Sequence, residues 1–223
     1  TPGIKRTDPT DAELAPLSEE DQHKFRSAVG SMIYIAKNRI DILFAVKELA
    51  RCMQCPTNVD LVGAIRLAKY LWSTKAMVVQ MKLSEQAKRT FNWTGEMVMK
   101  RENFRMPRGL PPVLAYCDAD WAGSGRDYKS TSGLVTTWCD MVIDGVSSTQ
   151  PGLPALSSGE SELRSLSRGV SEAQNLQFMM RDVGLDVKLV LASDSQAALR
   201  NAERLGPGRM RHLRLAQMYV KIG

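Results

Sequence analysis

Three short acidic stretches constrain what this chain can fold into: CDADWAG (117–123), ALSSGESEL (155–163) and ASDSQAAL (192–199). Each places carboxylates where an apolar run gives way to small residues, as at a strand end or a helix start. Carboxylates so distant in sequence act together only if the fold returns strand and helix ends to one place. Clustered oxygen ligands suit hard cations such as Mg²⁺, and two such ions can hold the attacking and leaving oxygens of a phosphodiester.

At 223 residues the chain can bury one substantial core and a smaller helical unit. Four cysteines without a secretory leader point to a reducing, intracellular setting rather than a disulfide scaffold. No apolar run has the length of a membrane span, so no membrane partner is expected. The opening TPGIKR lacks a methionine, as expected of a fragment or processed product. Residues 1–110 carry 18 basic against 12 acidic residues, and residues 111–223 carry 12 of each. The net charge of +6 therefore lies in the first half, where a polyanion would be drawn, although a solvated lysine-rich surface reads the same way.

Residues 1–18 show little periodicity and read as a linker. Two helices are predicted between Glu19 and Cys55, the first presenting Phe25, Val29, Met32, Ile33 and Ile35, the second Phe44, Val46, Leu49 and Met53. A third follows Pro56, with Thr57 or Asn58 as N-cap and Leu61, Ala64, Ile65, Ala68, Leu71 and Trp72 at helical spacing. Residues 76–83 (AMVVQMKL) have the content of a strand. Pro107, Gly109, Pro111 and Pro112 place a boundary near 110, giving a helical region over 19–110 and a second domain over 111–223. The second domain reads strand (113–118), strand (132–139), strand (141–148), helix (158–183), strand (187–193), helix (194–204), helix (209–221). That order predicts an α/β (α+β) fold with a mixed sheet and helices packed on it.

CDADWAG, RDYKSTSG (126–133), ALSSGESEL, SDSQAAL (193–199) and RMRHLR (209–214) resemble, in order, the motifs of the ribonuclease H domain of copia-type retrotransposon polyproteins. FRSAVGSMIYIAKNRIDILFAVKELARCMQCPT (25–57) is similar to the segment after the reverse-transcriptase palm in the same polyproteins. The resemblance covers most of residues 25–220. It implies a ribonuclease H-like fold preceded by a small helical connection region.

By that resemblance Asp118 takes the place of the first catalytic aspartate, touching both metal ions, and Asp120 is a further candidate metal ligand. A turn-forming Asp-rich strand end is the alternative for this stretch. Glu160 and Glu162 compete for the next ligand position. Ser157 and Glu160 have capping-box spacing, which makes Glu160 a cap, while Glu162 stands in the family's frame. If Ser158 were the cap, only the family frame would favour Glu162. Asp194 matches the third carboxylate and could equally cap the helix that follows. The family's histidine is matched by His212, a candidate for proton transfer or product departure. Arg214, however, stands where the family has an acid, and arginine cannot coordinate Mg²⁺.

The resemblance further implies nucleic-acid contacts at Arg126, Lys129, Ser130, Thr131, Gln196, Arg209 and Arg211. Such contacts would read phosphate and 2′-OH rather than base identity. The implied function is divalent-metal-dependent endonucleolytic hydrolysis of the RNA strand of RNA–DNA hybrids, using two Mg²⁺ ions for which Mn²⁺ can substitute. The implied partners are the hybrid and an upstream polymerase region, in a cytoplasmic virus-like particle or the nucleus. The alternative is a catalytically degenerate domain that binds nucleic acid or braces the polymerase. Cys52-x-x-Cys55 has zinc-ligand spacing, but with no second pair it reads as two small residues at a helix end. No Tyr-x-Asp-Asp motif occurs, so a polymerase active site is absent from this chain.

Overall fold

The computed structural model describes residues 10, 13–82, 85 and 110–203. Its compact units divide between Val79 and Gln80.

The first unit is helical: α1 (Glu19–Ala36), a single 3₁₀ turn (Ile40–Ile42), α2 (Leu43–Ala50) and α3 (Asn58–Ser73). Ser18 caps α1 by accepting from the Asp21 amide at 3.2 Å. Thr57, not Asn58, caps α3 in a reciprocal box with Asp60, whose carboxylate accepts from the Thr57 amide at 2.9 Å. Phe25, Val29 and Met32 of α1 bury against Val46 and Leu49 of α2 and Ala64 and Leu67 of α3. Ile33, Ile35, Phe44, Ile65 and Trp72 remain exposed, because their positions fall off the buried stripe of each helix. Arg39 donates two 2.8 Å bonds to Asp41 and another to the Thr74 hydroxyl, while the Tyr70 hydroxyl donates to Asp41. This network fastens the 3₁₀ turn to the end of α3.

Two sequence expectations change here. Within the presumed linker, Leu17 is buried, its amide donates to Pro56, and Pro16 bridges Thr57, so this part packs on the bundle. Residues 77–82 form no strand, and Met77, Val78, Val79 and Met81 are exposed. Strand propensity without a partner to complete the hydrogen-bond ladder does not make a strand.

The second unit is built on a four-stranded mixed sheet in the order β3-β2-β1-β4. The strands are β1 (Val113–Asp120), β2 (Thr131–Trp138), β3 (Met141–Thr149) and β4 (Leu189–Ala192). β1–β2 and β2–β3 pair antiparallel, and β4 joins β1 in parallel. Cys139 and Asp140, both at positive φ, make the two-residue turn between β2 and β3. Helix α4 (Ser158–Asp182) lies on β1 and β2, and the short α5 (Gln196–Glu203) follows β4.

Alternation along β1 buries Val113, Ala115 and Cys117 and turns Tyr116, Asp118 and Asp120 to the exposed side. The buried set meets Leu166 and Ala173 of α4, Leu134 of β2 and Ala198 of α5. At Gly169 the helix comes so close to β1 that a Cβ would lie 2.2 Å from the Cys117 sulfur. Only glycine permits that approach. The predicted element order holds through α5, with ends shifted by at most two residues; the helix expected over 209–221 lies outside the described residues.

A candidate metal centre of three carboxylates

Asp118 and Asp194 meet through the parallel pairing of β1 with β4. The last registered pair is Tyr116 with Ala192, and each aspartate stands two residues further along its strand's course. Glu162 comes from the second turn of α4, seated over β1. One carboxylate oxygen from each of the three residues lies within 4.8 Å of the others.

Local capping explains which acids are left for this group. Ser157 caps α4, its hydroxyl accepting from the Glu160 amide at 3.2 Å. The Glu160 carboxylate accepts from the Leu156 amide at 3.0 Å and pairs with Arg164. With 1% exposure, Glu160 is consumed inside the fold. Ser158, the other possible cap, is the first helical residue. At α5 the capping hydroxyl belongs to Ser195, which accepts from the Ala198 amide at 3.2 Å. The cap expected as an alternative role for Asp194 is thus filled by its neighbour, and Asp194 stays exposed within the group.

Asp120 is not among the three. Its carboxyl lies over Gly123, where a Cβ would sit 1.8 Å from Oδ2, so the glycine of the DADWAG stretch makes room for this side chain. The same stretch is joined to the second acidic stretch by the Trp121 indole N–H, which donates to the Ala155 carbonyl at 3.0 Å.

The electrostatics of the group call for a cation. Glu162 is half-buried, and its Oε2 has no hydrogen-bond partner. Burial first, then the charges of Asp118 and Asp194, push its carboxyl up to about 7, against the Ala119 amide that favours the charged form. A carboxylate with a buried, unpartnered oxygen, gathered with two further carboxylates, is unfavourable for a bare protein and suits an oxygen-liganded divalent ion. The residues therefore fit a metal. Burial and the Glu162 charge push the adjacent Cys117 thiol up to about 12, so it serves as apolar filling.

The other candidate positions are dispersed. Arg126 is exposed, Lys129 is half-buried with its ammonium 4.0 Å from Asp127, and Gln196 is exposed in the first turn of α5. Ser130 and Thr131, expected as nucleic-acid contacts, are buried. The Ser130 hydroxyl accepts from the Ala122 amide at 3.1 Å, closing the turn after β1. Arg209, Arg211, His212 and Arg214 lie outside the described residues. Cys52 is buried and Cys55 exposed, and neither is in a disulfide. Sequence reasoning did not single out Ser165, Gly169 or Ser195. Only Ser195 carried a local signal, as a cap-forming residue beside Asp194.

This mixed sheet with helices on it, presenting three carboxylates at strand and helix ends, is an α+β architecture consistent with a ribonuclease H-like fold. The chain's homologues are retrovirus-related Pol polyproteins of copia-type transposons. It is 27% identical over 222 residues (98% of its length) to the retrovirus-related Pol polyprotein from transposon RE1 of Arabidopsis thaliana. It is 26% identical over 204 residues (90% of its length) to that from transposon RE2 of the same plant. The chain spans 13% and 12% of those two polyproteins. An uncharacterized mitochondrial protein of Arabidopsis thaliana is 28% identical over 152 residues, 68% of this chain and 53% of the relative. No family model matches the chain, and no solved structure does. Among the described residues no helix is long and apolar enough to cross a membrane.

Proposed function

We propose that the second unit is a ribonuclease H, hydrolysing the RNA strand of RNA–DNA hybrids in the replication of a copia-type retroelement. The observation that carries this reading is the gathering of one carboxylate oxygen each from Asp118, Glu162 and Asp194 within 4.8 Å of one another. The relatedness to Pol polyproteins supplies the biological setting.

Asp118, Glu162 and Asp194 would hold the divalent ions, Mg²⁺ by preference and Mn²⁺ in its place. Ions held there supply Lewis-acid activation of water and charge neutralisation at the phosphorus and the leaving oxygen. The chain's own residues do the placing. Asp118 and Asp194, exposed at adjoining strand ends, present their oxygens on the side a phosphodiester can reach. Half-buried Glu162 gives the site a less hydrated floor, where electrostatic attraction is stronger than in water. Arg126, Lys129 and Gln196 would serve as contacts for sugar and phosphate, with Arg209, Arg211 and His212 expected to complete them. Contacts of that kind carry little sequence information, so cleavage would be nearly sequence-independent. The helical first unit would face the upstream polymerase region, inside a virus-like particle or the nucleus.

A second reading is favoured by Arg214 in place of the family's acid: a degenerate domain that binds hybrid or braces the polymerase. The deciding experiment is cleavage of an end-labelled RNA–DNA hybrid in Mg²⁺ or Mn²⁺ by wild type and Asp194→Asn. Metal-dependent cleavage lost in the variant supports the nuclease. A folded chain that binds hybrid equally with and without metal, and cuts with neither ion, supports the degenerate module.

A further inference from the structure

The face of α4 that meets the sheet is not uniformly apolar. Among Leu163, Leu166, Val170 and Ala173 it carries Ser161, Ser165 and Gly169, spaced four apart and all buried. A buried hydroxyl is unfavourable unless it is partnered, so each serine must find a bond across the interface. Ser161 is held by the Gln150 amide, which donates to its carbonyl at 2.8 Å and its hydroxyl at 3.3 Å.

Ser165 is tied elsewhere. Its hydroxyl, 1% exposed, donates to the backbone carbonyl of Asp118 at 2.6 Å. The Gly133 carbonyl stands at 3.5 Å from the same hydroxyl, and Gly133 is the residue paired with Asp118 across β1 and β2. Ser165 also lies three residues after Glu162, on the neighbouring side of the helix. One turn in the other direction, Gly169 lets the helix down onto Cys117, the residue before Asp118. The helix that carries one carboxylate is thus fastened to the peptide that carries another.

We propose that Ser165 is a positioning residue for the carboxylate group: its hydroxyl, bonded to the Asp118 carbonyl, sets the seat of α4 and so the reach of Glu162 toward Asp118 and Asp194. An alanine would keep the helix and most of the volume but free it to ride over β1. The metal arm of the test rests on the reading given under Proposed function; the geometric arm does not.

The test compares Ser165→Ala, Ser165→Cys and, as a control, Ser161→Ala in the full chain. Mn²⁺ binding is followed by electron paramagnetic resonance, and crystal structures of wild type and Ser165→Ala are determined without metal. Ser165→Ala is expected to weaken Mn²⁺ binding about tenfold, the scale of lost outer-shell support at metal sites. Its three carboxylates should open beyond the 4.8 Å within which they now gather. Ser161→Ala should lower the melting temperature comparably and leave Mn²⁺ affinity unchanged. Ser165→Cys, which retains a weaker donor of similar size, should fall between wild type and alanine, and it carries the measurement if the alanine variant does not fold. Unchanged carboxylate separation and unchanged affinity in Ser165→Ala would overturn the proposal. If wild type bound no Mn²⁺ sensitive to Glu162→Gln, the metal reading would fall, while the crystal structures would still decide whether Ser165 sets the spacing.

Discussion

Replacing Glu162 by glutamine in divalent-free buffer should make the protein more stable, although it removes a residue placed in the metal centre. Burial and the charges of Asp118 and Asp194 raise the Glu162 carboxyl from its ordinary 4.5 to about 7. The folded state therefore binds a proton that the unfolded state releases, and stability falls as pH rises from about 4.5 through about 7. At 1.36 kcal/mol per pH unit the difference is at most about 3.4 kcal/mol. Because Glu162 is only half-buried, solvent screening reduces this to about 1–2 kcal/mol. Glutamine is uncharged throughout, so the gain should be present at pH 8 and absent at pH 4. For a domain of this size it corresponds to a rise of about 3–6 °C in melting temperature. The assay is thermal denaturation by circular dichroism in EDTA at both pH values, repeated with Mg²⁺ at pH 8. Bound metal should stabilise wild type and leave the variant behind. A variant no more stable than wild type at pH 8 in EDTA would refute the argument that burial, and then the charges of Asp118 and Asp194, disfavour a charged Glu162 in the bare protein.

Gly169→Ala should destabilise the second unit by about 1–3 kcal/mol, because the new methyl overlaps the Cys117 sulfur, and denaturant melts would measure it. Asp120→Ala should bind Mn²⁺ as wild type does, since its carboxyl lies over Gly123 apart from the three-carboxylate group; a lost titration would make it a ligand. Asp41→Asn should cost the first unit about 1–3 kcal/mol by weakening the charge-assisted bonds from Arg39, seen as an earlier urea midpoint. At limiting Mg²⁺, Arg214→Asp should raise hybrid cleavage, and an unchanged rate would show that this position holds no ligand.

Much of the fold was legible because its signals are local. The stripe of Phe25, Val29 and Met32, the cap expected at Thr57 or Asn58, and the strand read over 113–118 each follow from residues within one or two turns or one strand. The stretch 76–83 misled, over its described residues, for the complementary reason: Val78 and Val79 have strand propensity, but a strand exists only where a partner meets it. The three-residue spacing of Ser157 and Glu160 gave the Ser157 cap on the Glu160 amide, because capping is decided within a single turn, but the Glu160 carboxylate reaches the Leu156 amide rather than that of Ser157 and leaves the expected box open. The burial of Ser130 and Thr131 was not legible, since it depends on how the turn after β1 folds back under Ala122.

The amino-acid sequence by itself determined the acids available, their order, and the strand ends and helix starts on which they stand. These follow from short-range periodicity and from hydrogen bonds between near neighbours. Tertiary structure decided which acids meet. Asp118 joins Asp194 because β4 pairs with β1 in parallel and in one register, and Glu162 joins both because Gly169 and Ser165 seat α4 directly on β1. Asp120, only two residues from Asp118, is left out because the chain turns after β1 and lays its carboxyl over Gly123. Register and helix seating are set by contacts between distant segments, which no local pattern specifies.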